Sequence, residues 1–256
     1  MRIVIKIGTS TLAHPTGHLN IRLVEQLCKV VRDIKNAGHE VILVSSGAIG
    51  MGVGKLGLLS RPKDIPTKQA AAAVGQCELM YTYDKLFSEY NHTVAQLLIT
   101  GADVENHTRH ENFRNTLSRL LELGALPIIN ENDTVATEEI VIGDNDTLAA
   151  IVAQSVDADL LVLLSDIDGL YTADPHKDPN ATLISYIPAI TDEILALGGG
   201  SASSQGTGGM ATKLRAAQIC MASGCAMVIT NGIRPDDLYD ILEGKSVGTR
   251  FAGGSV

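Results

Sequence analysis

The segments IVIKIG (residues 3–8) and VILVSSG (residues 41–47) decide the fold of this 256-residue chain. Each is an apolar run, rich in β-branched residues and interrupted in the first only by Lys6, that ends in small residues, as expected for a strand buried on both faces. Between them, apolar residues recur at helical spacing from Leu23 to Ile34, and Gly38 stands where a helix would end. This order of strand, helix and strand predicts a parallel sheet with crossover helices.

The same alternation continues along the chain and predicts an α/β fold with helices on both faces of the sheet. Predicted strands cover residues 3–7, 41–44, 94–98, 127–129, 160–164 and 226–230. Predicted helices cover 23–34, 69–90, 114–123, 147–155 and 213–222. Two excursions are expected at 138–142 and 168–171, and a flexible loop at 198–204. If the chain has two lobes, they share the sheet and the second begins near residue 158.

Composition excludes several classes of function. No run of 18 apolar residues could span a membrane, and a formal charge of −9 disfavours binding to nucleic acid or to an anionic bilayer. The N-terminus lacks the features of a signal peptide, so a cytoplasmic location is expected.

The four cysteines form no CxxC pair and are expected to be buried or partly buried free thiols. His107 and His110 could share a helix face as metal ligands, but their polar surroundings favour a solvated helix start.

Two glycine-containing segments imitate nucleotide-binding motifs. GxGxxG at residues 52–57 begins seven residues after the predicted strand, too far for the tight turn of a dinucleotide fold. Gly244-Lys245-Ser246 resembles the end of a P-loop, but Tyr239 stands where the first glycine is required. Neither segment is therefore predicted to bind a nucleotide.

Lysines and glycines at predicted strand and helix ends suggest a site for anions. Lys6 lies within an apolar strand, where burial is costly unless its charge meets an anion; the alternative is an edge-strand lysine that reaches water. GTGGMATK at 206–213 leads into a helix, so glycine N–H groups, a helix N-terminus and Lys213 could hold phosphate. Ser46, which follows the second strand, is the expected side-chain contact in a similar turn.

Acids and amides crowd two loops, INENDTV at 129–135 and GDNDT at 143–147. They could bind an amino group, hold hydrated Mg²⁺ or orient lysines, although Asn145 or Asp146 could simply cap the following helix. Ser165 and Asp166 follow another buried strand, where a base or ribose could be recognised.

Seven segments in the same order resemble the glutamate-phosphorylating branch of the amino acid kinase family. They are KIG at 6–8, VSSGAI at 44–49, QAAAAVGQ at 69–76, INEND at 129–133, GDND at 143–146, SDIDGLYTADP at 165–175 and GTGGMATK at 206–213. Together they cover nearly the whole chain. The resemblance implies a three-layer αβα sandwich around a mostly parallel open sheet. It implies a single domain, with the amino acid held by residues 1–157 and ATP by residues 158–256.

The resemblance also implies roles for individual residues. Lys6 and Lys213 would contact the transferred phosphoryl group, and Asp146 would hold both lysines in place. The substrate-binding residues would be Ser46, Gly47, Asp133 and Asn145. The ATP-binding residues would be Lys6, Ser165, Asp166, Thr207, Gly208, Gly209, Met210, Ala211, Thr212 and Lys213. No protein residue is assigned to a metal; Mg²⁺ is expected as a cofactor together with ATP.

By the same resemblance, the reaction is ATP-dependent phosphorylation of the side-chain carboxylate of L-glutamate, the entry to proline. Proline would inhibit by competing near the glutamate site, gated by residues 103–115 and 134–142. A homo-oligomer, dimer or tetramer, and a partnership with glutamate-5-semialdehyde dehydrogenase are further expectations. Many relatives add a C-terminal PUA domain of an RNA-binding type, and the chain is expected to be the catalytic domain alone.

Two alternatives stay open at this point. A sister kinase acting on acetylglutamate, aspartate, carbamate or a nucleoside monophosphate would share the glycine-rich turns and the paired lysines. A silent amino acid sensor would bind glutamate or proline without turnover. INEND with GDND favours glutamate over the first, and the retained lysines disfavour the second.

Overall fold

One sheet organises the computed structural model, which describes residues 1–14, 18–136, 144–175, 177–199 and 209–253. The strands of the described residues are β1 Arg2–Ile7, β2 Glu40–Ser45, β3 Val94–Ile99, β4 Leu126–Glu131, β5 Leu160–Ser165, β6 Tyr186–Ile187, β7 Ala226–Asn231 and β8 Thr249–Phe251. Their α-helices are α1 Thr9–Leu12, α2 Ile21–Asn36, α3 Ala48–Lys55, α4 Ile65–Ser88, α5 Gly101–Glu105, α6 His107–Glu122, α7 Asn145–Ser155, α8 Asp192–Ala196, α9 Met210–Ala222 and α10 Asp237–Leu242.

The strand order is β3-β4-β2-β1-β5-β7-β8-β6, and every neighbouring pair is parallel except β7 with β8. The chain leaves β1 towards β2 on one side and later returns to β5 on the other. Ligands in open α/β sheets bind outside the carboxyl ends of strands at such a switch point. Lys6 lies there, paired between Val44 of β2 and Leu163 of β5. It is therefore in a central strand, which excludes the edge-strand alternative.

Two apolar layers, one on each face of the sheet, form the core. Val4, Val44 and Leu161 face one layer with residues of α6, α7 and α9, while Ile5 and Leu43 face the other with residues of α2, α4 and α10. This arrangement confirms the three-layer αβα sandwich. Because side chains alternate along a strand, Lys6 shares the face of Val4, on which α7 and α9 pack.

The six predicted strands are confirmed, and each is longer than predicted by one to three residues in total. The predicted helices are confirmed as α2, α4, α6, α7 and α9, and Gly38 ends α2 with a φ of +92°. The short strands β6 and β8 and the helices α1, α3, α5, α8 and α10 were not predicted. The excursion near Tyr171 is confirmed by its bridge to Leu183. The excursion at 138–142 lies outside the described residues, as does most of the predicted loop at 198–204.

Several smaller predictions are also decided. Helix α6 begins at His107, which confirms the helix start, and His110 Nε2 lies 2.8 Å from the hydroxyl of Ser155. Cys28, Cys220 and Cys225 are buried free thiols, whereas Cys77 is exposed on α4 and departs from the expectation. None of the helices in the described ranges combines the length and apolar character that a bilayer span requires.

Close packing of α3 on α4 explains two glycines: Gly52, the first of the GxGxxG segment, and Gly75 on α4. A Cβ on Gly52 would lie 1.8 Å from the carbonyl oxygen of Ala71, and one on Gly75 would lie 1.7 Å from that of Ala48. Two helix backbones therefore touch, and neither position has room for a methyl group. The segment begins inside α3, where Gly52 serves helix packing, and it ends beyond the helix at Gly57, which adopts a φ of +65°.

We expect Gly75→Ala to destabilise the fold by about 3 kcal/mol, the upper end of the usual overpacking cost, because the added methyl group would meet backbone. Denaturant unfolding followed by circular dichroism measures this change. Gly50→Ala is the matched control: it lies in α3, and its Cβ would meet only Thr9 Cγ2, at 3.8 Å. Equal midpoints for the two variants would contradict the packing argument.

Candidate active site

A carboxylate between two lysines forms the centre of the site. Lys6 Nζ lies 2.7 Å from Oδ1 of Asp146, and Lys213 Nζ lies 3.0 Å from Oδ2. All three residues are buried, with exposed fractions of 8% for Lys6, 1% for Asp146 and 5% for Lys213. Lys213 donates a hydrogen bond to Oδ2, and Lys6 forms a close ion pair with Oδ1. The sequence prediction that Asp146 holds both lysines agrees with these contacts.

Three separate elements bring the cluster together. Lys6 ends the central strand β1, while Asp146 and Lys213 lie in the first turns of α7 and α9, which pack against the same face of the sheet. Asp144 is the N-cap of α7, and its carboxylate accepts hydrogen bonds from Thr147 N at 2.7 Å and Oγ1 at 2.9 Å. Because Asp144 caps the helix, the interpretation of Asp146 or Asn145 as the cap is wrong. The carboxylate of Asp146 instead contacts the two lysines.

Electrostatics keeps the cluster charged. Burial by itself raises the pKa of Asp146, but the charges and hydrogen bonds of Lys6 and Lys213 outweigh it and lower this pKa to about 2. One carboxylate with two ammonium groups leaves a net charge of +1 in a buried setting. Such an excess favours an anionic ligand over a neutral one.

The lowered pKa predicts a loss of stability in acid that depends on Asp146. Its carboxylate stabilises the fold above its unfolded pKa of 3.8, and about 2 kcal/mol is lost as the pH falls from about 4 to about 2. Urea unfolding of wild type and Asp146→Asn at several pH values measures this contribution. The free energy of unfolding of the variant should not show this fall between pH 4 and pH 2. An equal fall in both proteins would show that the carboxylate is not held as described.

A ladder of amides lies beside the cluster, between β2, β4 and α7. Asn145 Nδ2 donates to Ser46 Oγ at 2.9 Å, to Asn130 Oδ1 at 3.0 Å and to Ser45 O at 3.2 Å. Asn130 Oδ1 also accepts the backbone N–H of Glu131 at 2.9 Å, and Asn130 Nδ2 donates to Gln76 Oε1 at 2.9 Å. These contacts join two of the predicted substrate residues, Ser46 and Asn145.

Backbone groups fix which way each amide points. A backbone N–H can only donate, so the Asn130 atom that faces Glu131 must be its oxygen, and its nitrogen must face Gln76. The carbonyl of Ser45 likewise requires the Asn145 nitrogen, which leaves Asn145 Oδ1 on the opposite side as an acceptor. Asn130 and Gln76 were missed as site residues, although both stand in motifs already singled out, INEND and QAAAAVGQ. Nothing in the local sequence shows that two such motifs meet.

Gly47 and Asp133 occupy neighbouring turns. Gly47 adopts a φ of +97° at the start of α3, a conformation that other residues rarely adopt, and Ser46 N donates to Ile7 O at 3.1 Å. Asp133 lies in the turn after β4 and is half-buried. Burial raises the pKa of Asp133, and the positive charge of Arg61 opposes this rise. Asp133 thus gains from a cation nearby.

The predicted nucleotide residues lie along the same edge of the sheet. Ser165 ends β5, is buried and donates to Asp166 Oδ1 at 3.1 Å. Gly209 is the N-cap of α9, which begins with Met210 and Ala211 and has no side-chain cap to satisfy its first N–H groups. Thr212 hydrogen-bonds to Asp146, a contact that its assignment to ATP did not anticipate. Thr207 and Gly208 lie outside the described residues.

The carboxylates of the described residues form no dedicated metal centre. No group of three or more His, Cys, Asp or Glu side chains there could hold an ion. Both oxygens of Asp146 already face ammonium groups, a donor set that suits an anion and not a cation.

An open, mostly parallel sheet with a buried, net-positive lysine pair at its switch point, beside an uncapped helix N-terminus, is the architecture of an α/β phosphoryl-transfer protein. The family model described as the amino acid kinase family matches residues 1–231. The chain belongs to the amino acid kinase family.

Similar proteins cover nearly the whole chain. A glutamate 5-kinase of Listeria welshimeri is 55% identical over 98% of this chain and 92% of its own length, and one of Clostridium tetani is 52% identical over 97% and 93%. A glutamate 5-kinase of Moorella thermoacetica is 52% identical over 98% of this chain and 66% of its own length.

Solved structures support the fold alone. Carbamate kinase of Giardia lamblia bound to AMP-PNP matches with a TM-score of 0.68 at 21% identity, over 98% of both chains. Isopentenyl phosphate kinase of T. acidophilum in a product complex matches with a TM-score of 0.66 at 19% identity, over 98% of this chain and all of that one. Both are kinases that act on different acceptors, so the fold does not identify the acceptor.

Proposed function

We propose that this protein phosphorylates the γ-carboxylate of L-glutamate with ATP and releases L-glutamyl 5-phosphate and ADP, the first step of proline biosynthesis. The observation that carries the proposal is the buried cluster of Lys6, Asp146 and Lys213 at the carboxyl edge of the sheet. The net positive charge of this cluster suits the two anions that must meet, the acceptor carboxylate and the γ-phosphate. The relatives named glutamate 5-kinase, at 52–55% identity over nearly the whole chain, support glutamate as the acceptor.

The chemistry requires positioning and charge neutralisation. The acceptor carboxylate is already ionised at neutral pH, so no hydroxyl proton has to be removed and no general base is needed. The repulsion between the acceptor and the γ-phosphate is offset by the ammonium groups of Lys6 and Lys213. Their effect is greatest as charge spreads over the transferring phosphoryl oxygens. Asp146 pairs with both lysines and aims them at the same region.

The amino acid would lie beside the amide ladder. Ser46, Gly47, Asp133 and Asn145 are the proposed substrate residues. The outward acceptor Oδ1 of Asn145 and the carboxylate of Asp133 both suit the α-ammonium group of glutamate. The raised pKa of Asp133 supports this role, because a buried carboxylate gains most from a cationic partner. Asn130 would hold the Asn145 amide in its orientation.

ATP would lie along the ends of β5 and α9. Ser165 and Asp166 would face the base or ribose, and the loop from Thr207 to Lys213 would hold the phosphates. Magnesium would enter as Mg-ATP, carried by the phosphate oxygens, since the described carboxylates offer no separate cage. By this proposal the glutamate half covers about 1–157 and the ATP half about 158–256 of a single domain.

Regulation and assembly form a further part of the proposal. Proline would compete near the glutamate site, with residues 103–115 and 134–142 as gates. The enzyme would act in the cytoplasm as a homo-oligomer and deliver its labile acyl phosphate to glutamate-5-semialdehyde dehydrogenase. Size determination by light scattering tests the homo-oligomer, and initial rates at varied glutamate with and without proline test the competition.

Measuring ADP release from Mg-ATP with different acceptors tests the reaction directly. We expect turnover with L-glutamate and not with N-acetylglutamate, aspartate, carbamate or UMP, and hydroxylamine should trap the product as a hydroxamate. Turnover of another acceptor would assign the chain to a sister kinase. Binding of glutamate without any turnover would support a silent sensor.

Loss of either lysine should slow the chemical step. We expect Lys6→Ala and Lys213→Ala each to lower kcat by roughly 10²-fold or more, the usual scale for loss of one preorganised donor. Steady-state ADP release measures it. Lys245→Ala is the matched control, because this exposed lysine pairs with Asp240 and Glu243 and should leave kcat unchanged. A near-normal kcat in both Lys6→Ala and Lys213→Ala would contradict the proposed mechanism.

Asp133→Ala should act mainly on glutamate binding. The variant loses the proposed partner of the α-ammonium group, so we expect KM for glutamate to rise at least tenfold while KM for ATP stays within about twofold, tenfold being about 1.4 kcal/mol. Initial rates at varied glutamate and ATP measure both constants. Asp178→Ala, which removes a half-buried carboxylate elsewhere, controls for net charge. An unchanged KM for glutamate in Asp133→Ala would refute the assignment.

A further inference from the structure

Thr212 lies between the buried carboxylate and the start of α9. Its Oγ1 is 2.8 Å from Asp146 Oδ2 and also 2.8 Å from the carbonyl oxygen of Gly209, three residues earlier. Both of these atoms are acceptors, and a hydroxyl group has a single proton. The hydroxyl can therefore donate to only one of them at a time, and it has two alternative positions for that proton.

We propose that Thr212 is a positioning residue that acts on the two lysines through Asp146, and that its hydroxyl serves Asp146 and not the nucleotide that the backbone of its loop would hold. Asp146 Oδ2 faces both Lys213 and Thr212, whereas Oδ1 faces Lys6. The lysines reach the carboxylate through long flexible stems, but the threonine hydroxyl lies one carbon from the backbone of a helix. When Thr212 donates to Oδ2, it fixes the rotation of the carboxylate, and the carboxylate in turn fixes the lysines.

The inference rests on the proposed phosphoryl transfer, which requires the lysines to change partners. An incoming phosphoryl group competes with Asp146 for lysine N–H donors. A buried carboxylate that loses donors is destabilised. Thr212 can then turn its proton from Gly209 to Oδ2, where a charge-assisted hydrogen bond is stronger than a neutral one. The carboxylate stays satisfied while the lysines face the substrate.

Thr212→Val tests the role, since it removes the hydroxyl and keeps the shape. We expect kcat to fall about tenfold while KM for ATP and KM for glutamate stay within about twofold. Thr212→Ser restores the hydroxyl and should recover most of the loss. A rise in KM for ATP with unchanged kcat would overturn the inference and make Thr212 a nucleotide contact. An unchanged kcat with unchanged KM values would overturn it as well.

Thr82→Val is the matched control for loss of a helix hydroxyl. Thr82 Oγ1 donates to the carbonyl of Glu78 at 2.9 Å on α4, so this variant also removes a hydroxyl that bonds to helix backbone. Its kcat should equal that of wild type. An equal loss of kcat in Thr82→Val and Thr212→Val would overturn the inference, because the effect would then follow from helix damage alone.

A double-mutant cycle with Asp146→Asn separates this inference from the proposed function. Unfolding free energies of the single and double variants of Thr212→Val and Asp146→Asn need no substrate. Non-additive values support the coupling, and additive values overturn it. If wild type phosphorylates none of the acceptors, the proposed function fails, and the unfolding cycle still decides whether Thr212 acts on Asp146.

Discussion

Two ammonium groups cannot be buried side by side without an anion between them, and Asp146 is that anion. Its oxygens face Lys6 from β1 and Lys213 from α9, so one carboxylate connects the central strand with two helices on the same face. The strand order, the packing of α7 and α9 and the cap at Asp144 all serve to hold this carboxylate. The net positive charge of this cluster therefore lies at the switch point of the sheet, where open α/β sheets bind ligands.

Backbone groups are the second source of order in the site. The N–H of Glu131 and the carbonyl of Ser45 determine how Asn130 and Asn145 are turned, and these groups belong to adjacent parallel strands. An amide whose orientation is fixed by backbone presents a known acceptor or donor to a ligand. In the proposed reaction, the net-positive cluster of Lys6, Asp146 and Lys213 meets the transferred negative charge, and the amide ladder recognises the polar groups of the acceptor.

Glycine has three different uses here. Gly47 supplies a left-handed turn into α3, Gly52 and Gly75 let α3 touch α4, and Gly209 begins α9 without a side-chain cap. A motif search by itself would have read GxGxxG as a nucleotide site. The physical reason for each glycine depends on what its missing Cβ would have met, and only packing shows that.

The sequence by itself determined the class of fold, the six main strands and the helices between them, because apolar runs and helical periodicity are local signals. Through their order, its motifs also indicated Lys6, Asp146, Lys213, Ser46 and Asn145. Only the tertiary structure decided that Asp144 is the cap, that Asn130 and Gln76 join the site, and that Thr212 contacts Asp146. Short strands such as β6 and β8 also escaped prediction, since two or three residues carry no period. These features depend on strand order and helix packing between distant segments, which no local pattern records.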